Sequence, residues 1–312
     1  MLSFDAQNYT FIKVLVLMKA KVFNEKIRLL TVYYFCIMIK IKRVLDFYIN
    51  SSIHVALAVV SLVLITCVKF DIEAENNLLF FIFFATITGY NFVKYFGIAK
   101  FHHRRLATWL KAIQIFSFFC FVALCYYTFT LPKTTIVYLL FFGVITFFYA
   151  IPFLPKRFFL DAHHNLRTIS GLKVYVIAFV WAGVTVILPL LHADESLVLD
   201  VYIEAFQRFV LVVALMLPFE IRDLRFDSLR LATIPQQIGV KRTKGLGFLL
   251  ILIFFLLEFL KDAVTVKFIF STLIAGVLLL FLLRFSSKNQ SPYYSGFWVE
   301  AIPIVWYVLL FF

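Results

Sequence analysis

Long apolar runs, broken by short clusters of charged residues, set the pattern of this chain. Crossing a bilayer as a helix takes about 20 mainly apolar residues, within a range of about 17–25. Nine runs approach that length: Ser52 to Phe70, Leu78 to Gly97, Ala107 to Phe129, Thr134 to Ile151, Thr168 to Leu191, Val201 to Glu220, Gly245 to Leu260, Val266 to Phe285 and Phe297 to Phe312. The seventh and ninth are the shortest. None shows the strict apolar–polar alternation of a membrane β-strand, so the pattern predicts a bundle of transmembrane helices rather than a barrel.

The segments between the runs carry charge in an alternating manner. Lys40, Lys42 and Arg43 precede the first run, and the acidic stretch DIEAENN follows it. Lys100, Arg104 and Arg105 come next, and then Lys133 alone. Lys156, Arg157 and Arg167 are followed by the acidic HADESLVLD. The sixth connection is crowded with Arg222, Arg225, Arg230, Lys241, Arg242 and Lys244. Lys261 and Lys267 flank the seventh, and Arg284 and Lys288 the eighth. Basic cytoplasmic loops alternating with acidic or weakly charged outer ones are what the positive-inside rule predicts. The expected topology places the N-terminus in the cytoplasm and the C-terminus outside, in a cell (inner) membrane.

Composition narrows the class. Of 312 residues, 63% are hydrophobic and 15% are charged, and the mean hydropathy is +0.96. A soluble domain of this size carries about 25% charged residues. Soluble enzymes, disordered chains and collagen-like fibres are excluded, and the main solvent is lipid. The net charge of +13 suggests a nucleic-acid partner only until the loops are considered. Positive-inside topology accounts for most of it, so no nucleic acid is expected. Cys36, Cys67, Cys120 and Cys125 lie in apolar stretches without metal-ligand spacing and read as small buried hydrophobes. Residues 1–37 fit no span; they form either an amphipathic segment on the membrane surface or the product of a misassigned start, with Met38 as the true one. The membrane domain then covers 38–312.

Ionisable residues at membrane depth are functional candidates by default, because burying each costs about 2.5–3.5 kcal/mol on insertion scales. The sixth connection, PFEIRDLRFDSLRLATIPQQIGVKRTK, holds the densest set. Glu220, Asp223 and Asp227 stand at i, i+3 and i+7, one helical face if the helix continues past Pro218. Converging carboxylates at a membrane boundary suit Mg²⁺, an oxygen-seeking ion that often shares its shell with phosphate. A solvated helix stitched by Asp–Arg pairs explains the same spacing equally well. Glu204, Gln207 and Glu258 also fall inside expected spans, with no role assigned.

The stretch RDLRFDSLRLATIPQQIG resembles the second aspartate-rich motif of the UbiA-type membrane prenyltransferases. There an RDxxxD segment precedes a Thr-[Leu/Ile]-Pro turn and a Leu/Ile-Gly step. Arg222, Asp223, Asp227, Thr233, Pro235, Ile238 and Gly239 match in order, with Glu220 where an Asp is often found. FFYAIPFLPKRF resembles the family's Tyr-Pro-Lys/Arg segment through Tyr149, Pro152, Pro155, Lys156 and Arg157. NLRTISGLKVYVIAFVWAG resembles the start of its fifth span. The resemblance covers about residues 44–312.

It implies an all-α bundle of nine spans with a cytoplasm-facing cavity, and a transferase that moves an isoprenoid group from a polyprenyl diphosphate to an aromatic or other lipophilic acceptor. Asp223, Asp227 and Tyr149 would be catalytic, with Lys94 counted beside them. Asn91, Lys156, Arg157 and Arg222 would contact the diphosphate. Asp223, Asp227 and Glu220 would hold Mg²⁺, one ion rather than two. The family's first motif, NDxxDxxxD, is degenerate: the chain reads NFVKYFGIA, with Asn91 kept and Phe92, Tyr95 and Ala99 at the aspartate positions. Lys94 is new. It either supplies positive charge in place of a metal or simply snorkels to the interface. Loss of these aspartates leaves a second expectation open: an inactive relative that binds a lipid diphosphate or scaffolds a membrane partner. A transporter is a weaker third, since no inverted repeat or pair of broken helices is evident. His102–His103 and His163–His164 read as interfacial residues rather than metal ligands. Hydrolase, ATPase and zincin motifs are absent from the sequence.

Overall fold

The computed structural model describes residues 37–101, 108–150, 172–225, 233–262 and 264–312. Lys156, Arg157, Asp227 and both histidine pairs lie outside these residues. Among the described residues there is helix and no strand. The chain divides into two compact units, Met1–Tyr48 and Ile49–Phe312. In the first, residues 37–48 are helical and expose Met38, Ile41 and Val44.

In chain order the helices are α1 (Ile37–Asn50), α2 (Ile53–Lys69), α3 (Asn76–Phe101), α4 (Thr108–Thr130), α5 (Lys133–Ala150), α6 (Leu172–His192), α7 (Leu199–Asp223), α8 (Ile234–Leu260), α9 (Val266–Phe285) and α10 (Tyr294–Leu309). Six of them (α3, α4, α6, α7, α8 and α9) contain a stretch long and apolar enough to cross a membrane; α1 and α2 add a seventh if taken as one span. The apolar stretches of α5 and α10 are shorter, at Lys133–Phe148 and Tyr294–Leu309. The protein is thus an all-helical chain of the multi-pass integral membrane class.

Local chemistry sets the helix ends. Thr265 precedes α9 and its hydroxyl accepts from the Phe268 amide at 3.3 Å. Before α8, the Thr233 amide donates to Gln236 Oε1 at 3.0 Å, and Pro235 occupies the first turn, where its missing N–H costs nothing. Gly239 then breaks the helical geometry with φ 79° and ψ 157°, in a region open essentially to glycine alone. The Thr233–Pro235–Gly239 spacing noted in the sequence is therefore a start-and-kink device. A methyl group at Gly239 would meet nothing within 4 Å, so Gly239→Ala costs only backbone strain. We expect about 1–3 kcal/mol of destabilisation, read as a lower thermal midpoint in detergent.

The principal core lies among α2, α7, α8, α9 and α10, where Leu62, Leu211, Leu217, Phe254, Leu279 and Trp306 are almost fully enclosed. Gly247 lets α8 approach closely: a Cβ there would lie 2.2 Å from Leu283 Cδ2 and 2.9 Å from Leu217 Cδ1. The opposite arrangement appears on α4, where Phe118, Phe119 and Phe129 face outward. In water such a surface would drive association; in a bilayer it meets acyl chains. Two π-helical turns interrupt the regular helix, Gly183–Ile187 in α6 and Tyr294–Val299 in α10.

Candidate functional site

Polar side chains gather at two places, one at each end of α2. At its start, Ser52 adopts a left-handed conformation, φ 65° and ψ 17°, unusual for a residue with a Cβ. Three residues of α3 hold this turn. Asn91, itself buried, donates from Nδ2 to the Ser51 carbonyl at 2.9 Å and to Ser117 Oγ of α4 at 2.8 Å. Its Oδ1 accepts from Ser52 Oγ at 2.8 Å. The Lys94 ammonium donates to Ser52 Oγ at 2.9 Å, and the Tyr95 hydroxyl to the Asn50 carbonyl at 2.8 Å. Asn91, Lys94 and Tyr95 share one face of α3, at i, i+3 and i+4.

The end of α7 reaches the same place. Arg222 donates to Ser295 Oγ on α10 at 2.8 Å, and Glu300 lies within electrostatic range of both Lys94 and Arg222. Arg222 also grips Asp223 Oδ1 at 2.8 Å, while Glu220 pairs with Lys173 of α6 at 3.2 Å. Four of the residues singled out in the sequence, Asn91, Lys94, Arg222 and Asp223, therefore gather here, and Glu220 is one turn away on α7. The helix runs through Pro218, as expected, to Asp223. Tyr149 sits in the last turn of α5.

The fit of this end to Mg²⁺ rests on its carboxylates. Glu220 is committed to Lys173, and Asp223 to Arg222. No group of three or more His, Cys, Asp or Glu side chains suited to a metal ion is found among the described residues. Each of these two carboxylates thus has a basic partner among the described residues, and Asp227 lies outside them. The gathered residues make a mixed patch in which two cations, Lys94 and Arg222, reach hydroxyl partners that a phosphate oxygen could replace.

The second gathering, at the Lys69 end of α2, is denser and far more enclosed. Glu204 of α7 accepts from Lys69 at 3.0 Å, from Arg208 at 2.8 Å and from Lys261. Glu258, in the last turn of α8, accepts from Lys69 and Lys261, each at 2.9 Å, and from Gln207 Nε2 at 2.9 Å. Gln207 Oε1 in turn accepts from Lys261 at 2.7 Å. Side-chain exposure is 4% for Lys69, 6% for Lys261 and 0% for Arg208 and Glu204. Trp306 of α10 lies beneath, its ring centroid 5.2 Å from both Lys69 Nζ and Arg208 Cζ. Arg208 also reaches the Leu62 carbonyl at 2.8 Å, and Thr66 donates to the Thr185 carbonyl in the π turn of α6 at 2.7 Å. Burial alone would lower the Lys261 ammonium, but Glu204 and Glu258 outweigh it and hold its pKa above the ordinary lysine value.

Glu204, Gln207 and Glu258 were visible in the sequence as polar residues inside spans; their partners Lys69 and Arg208 were not singled out. The usable signal was the Glu204–Arg208 spacing of i, i+4 within one apolar run, an intrahelical ion pair. Comparison with protein-family models, with curated proteins and with solved structures finds no match to this chain.

Proposed function

We propose that this is a UbiA-like nine-span membrane protein that binds an isoprenoid diphosphate at the Ser52 end and transfers the prenyl group to an aromatic or other lipophilic acceptor. The N-terminus is cytoplasmic, the C-terminus outside, and the binding end faces the cytoplasm. The observation that supports this reading is the meeting of Asn91, Lys94, Arg222 and Asp223 at one end of the bundle. In the reaction the allylic C–O bond breaks, the diphosphate departs with the electron pair, and the acceptor bonds to the cationic carbon and releases a proton. Lys94 and Arg222 would stabilise the departing charge, with Lys156 and Arg157 proposed beside them. Tyr149 is proposed to face the cation. Magnesium, implied by the resemblance, would be held by Asp223 with Asp227, and supplies charge neutralisation when bound.

A second reading keeps the binding and drops the transfer. It is favoured by the first-motif positions: Phe92 is exposed, and Tyr95 is bonded to the backbone at Asn50. Neither supplies a carboxylate. One experiment separates the two. Purified protein is assayed for transfer from a panel of isoprenoid diphosphates, with and without Mg²⁺, beside an Asp223→Ala, Asp227→Ala variant. Magnesium-dependent transfer lost in the variant supports the enzyme. Binding without turnover supports the second reading, and neither binding nor turnover refutes both.

A further inference from the structure

The buried network at the Lys69 end does not balance. Lys69, Arg208 and Lys261 supply three positive charges, and Glu204 and Glu258 two negative ones, leaving one positive charge enclosed. A charge enclosed without a counterion is strongly disfavoured. The Trp306 ring face attracts Lys69 and Arg208 but carries no net charge to cancel the excess.

Donors without acceptors lie in the same region. Among the described residues, Arg208 Nε, Thr272 Oγ1 and Trp306 Nε1 are buried polar atoms with no hydrogen-bond partner, and all three residues are 0% exposed. Arg208 and Trp306 are in direct contact, and Thr272 is placed in the same region by its neighbours one turn away on α9. Arg208 stacks on Trp306, and Trp306 meets Phe254 at 5.3 Å between centroids. Thr272 stands one turn from Phe268, whose ring lies 5.6 Å from Lys69 Nζ. It is also one turn from Gly276, where a Cβ would come within 3.9 Å of Phe254 Cδ1. The guanidinium and indole N–H groups can only donate. A water among three donors would have its own hydrogens to place; a monovalent anion accepts from all three and cancels the excess charge.

We propose that the network is completed by a small inorganic anion of halide size, held by Arg208 Nε, Thr272 Oγ1 and Trp306 Nε1 beside the Lys69–Glu204–Glu258–Lys261 cluster. The site takes a dehydrated monovalent anion, for which chloride is the probe. The test is the thermal midpoint of the detergent-solubilised protein in potassium chloride against potassium gluconate at equal ionic strength. Chloride raises it by about 2 °C or more, with saturation, as expected for a ligand bound only by the folded state. The chloride concentration giving half the shift rises several-fold in a Thr272→Val variant, which removes one donor while keeping shape. Equal midpoints in the two salts, or a chloride response unchanged in the variant, overturn the proposal. A second measurement needs no variant: crystals of the unmodified protein grown in bromide show an anomalous peak within hydrogen-bond distance of Arg208 Nε, and no peak there also overturns it.

Discussion

Glu204→Gln lowers stability by about 3–5 kcal/mol, the cost of breaking a buried ion network by removing one partner. Glu204 is wholly enclosed and accepts from Lys69, Arg208 and Lys261. The amide keeps the shape but loses the charge, so three cations face Glu258 alone. Its NH₂ group also points a donor at one of them. The loss is read as a fall in the unfolding midpoint in detergent. A companion variant, Glu204→Met with Lys261→Met, removes one charge of each sign and recovers most of the stability, because a buried pair replaced by apolar groups of similar volume is often neutral. A loss below about 1 kcal/mol in Glu204→Gln would mean that the glutamate carries little of the network.

Lys94→Met with Arg222→Met weakens isoprenoid diphosphate binding by about two orders of magnitude. A hydrogen bond to a charged group contributes about 1.5–3 kcal/mol, and two such contacts to a diphosphate oxygen are lost together. Glu300 loses both nearby cations and Ser295 Oγ its donor, so the unfolding midpoint of the variant is measured beside its affinity. Ser52 Oγ keeps its bond to Asn91 when Lys94 is gone, and Asp223 is partly exposed, so water takes the place of Arg222. The measurement is a titration of detergent-solubilised protein with a farnesyl or geranylgeranyl diphosphate. Unchanged affinity would remove both residues from the proposed site.

Much of the helical layout was legible in the sequence because span length is a local property. The run Val266 to Phe285 coincides with α9, and Leu78 to Gly97 lies within α3. Helix boundaries were less legible where the helix is polar. The expected run began at Gly245, whereas α8 begins at Ile234. IPQQIGVKRTK is helical on either side of the break at Gly239 but too polar to read as a span, since helix formation and membrane solubility are different physical demands. The candidate site was legible where one helix carries it. Asn91 and Lys94 share a face of α3, and both bond at the Ser52 turn. The pairing of Glu220 with Lys173 was hidden by sequence distance, as was that of Lys69 with Glu204, 135 residues apart. Lys261 also changes meaning: counted as a loop charge it blurs the alternation expected of the connections, and paired with Glu204 and Glu258 it leaves that count.

The cross-linking of α2, α7 and α8 at the Lys69 end has a mechanical corollary. A helix anchored at one extremity moves most at the other when it tilts. At 1.5 Å per residue, the 17 residues of α2 give a lever of about 25 Å, so a tilt of roughly 10° displaces its far tip by about 4 Å. The far tip is where Ser52, Asn91, Lys94 and Arg222 meet. A tilt about the Lys69 anchor would therefore have to stretch the hydrogen bonds that Asn91 and Lys94 make to Ser52.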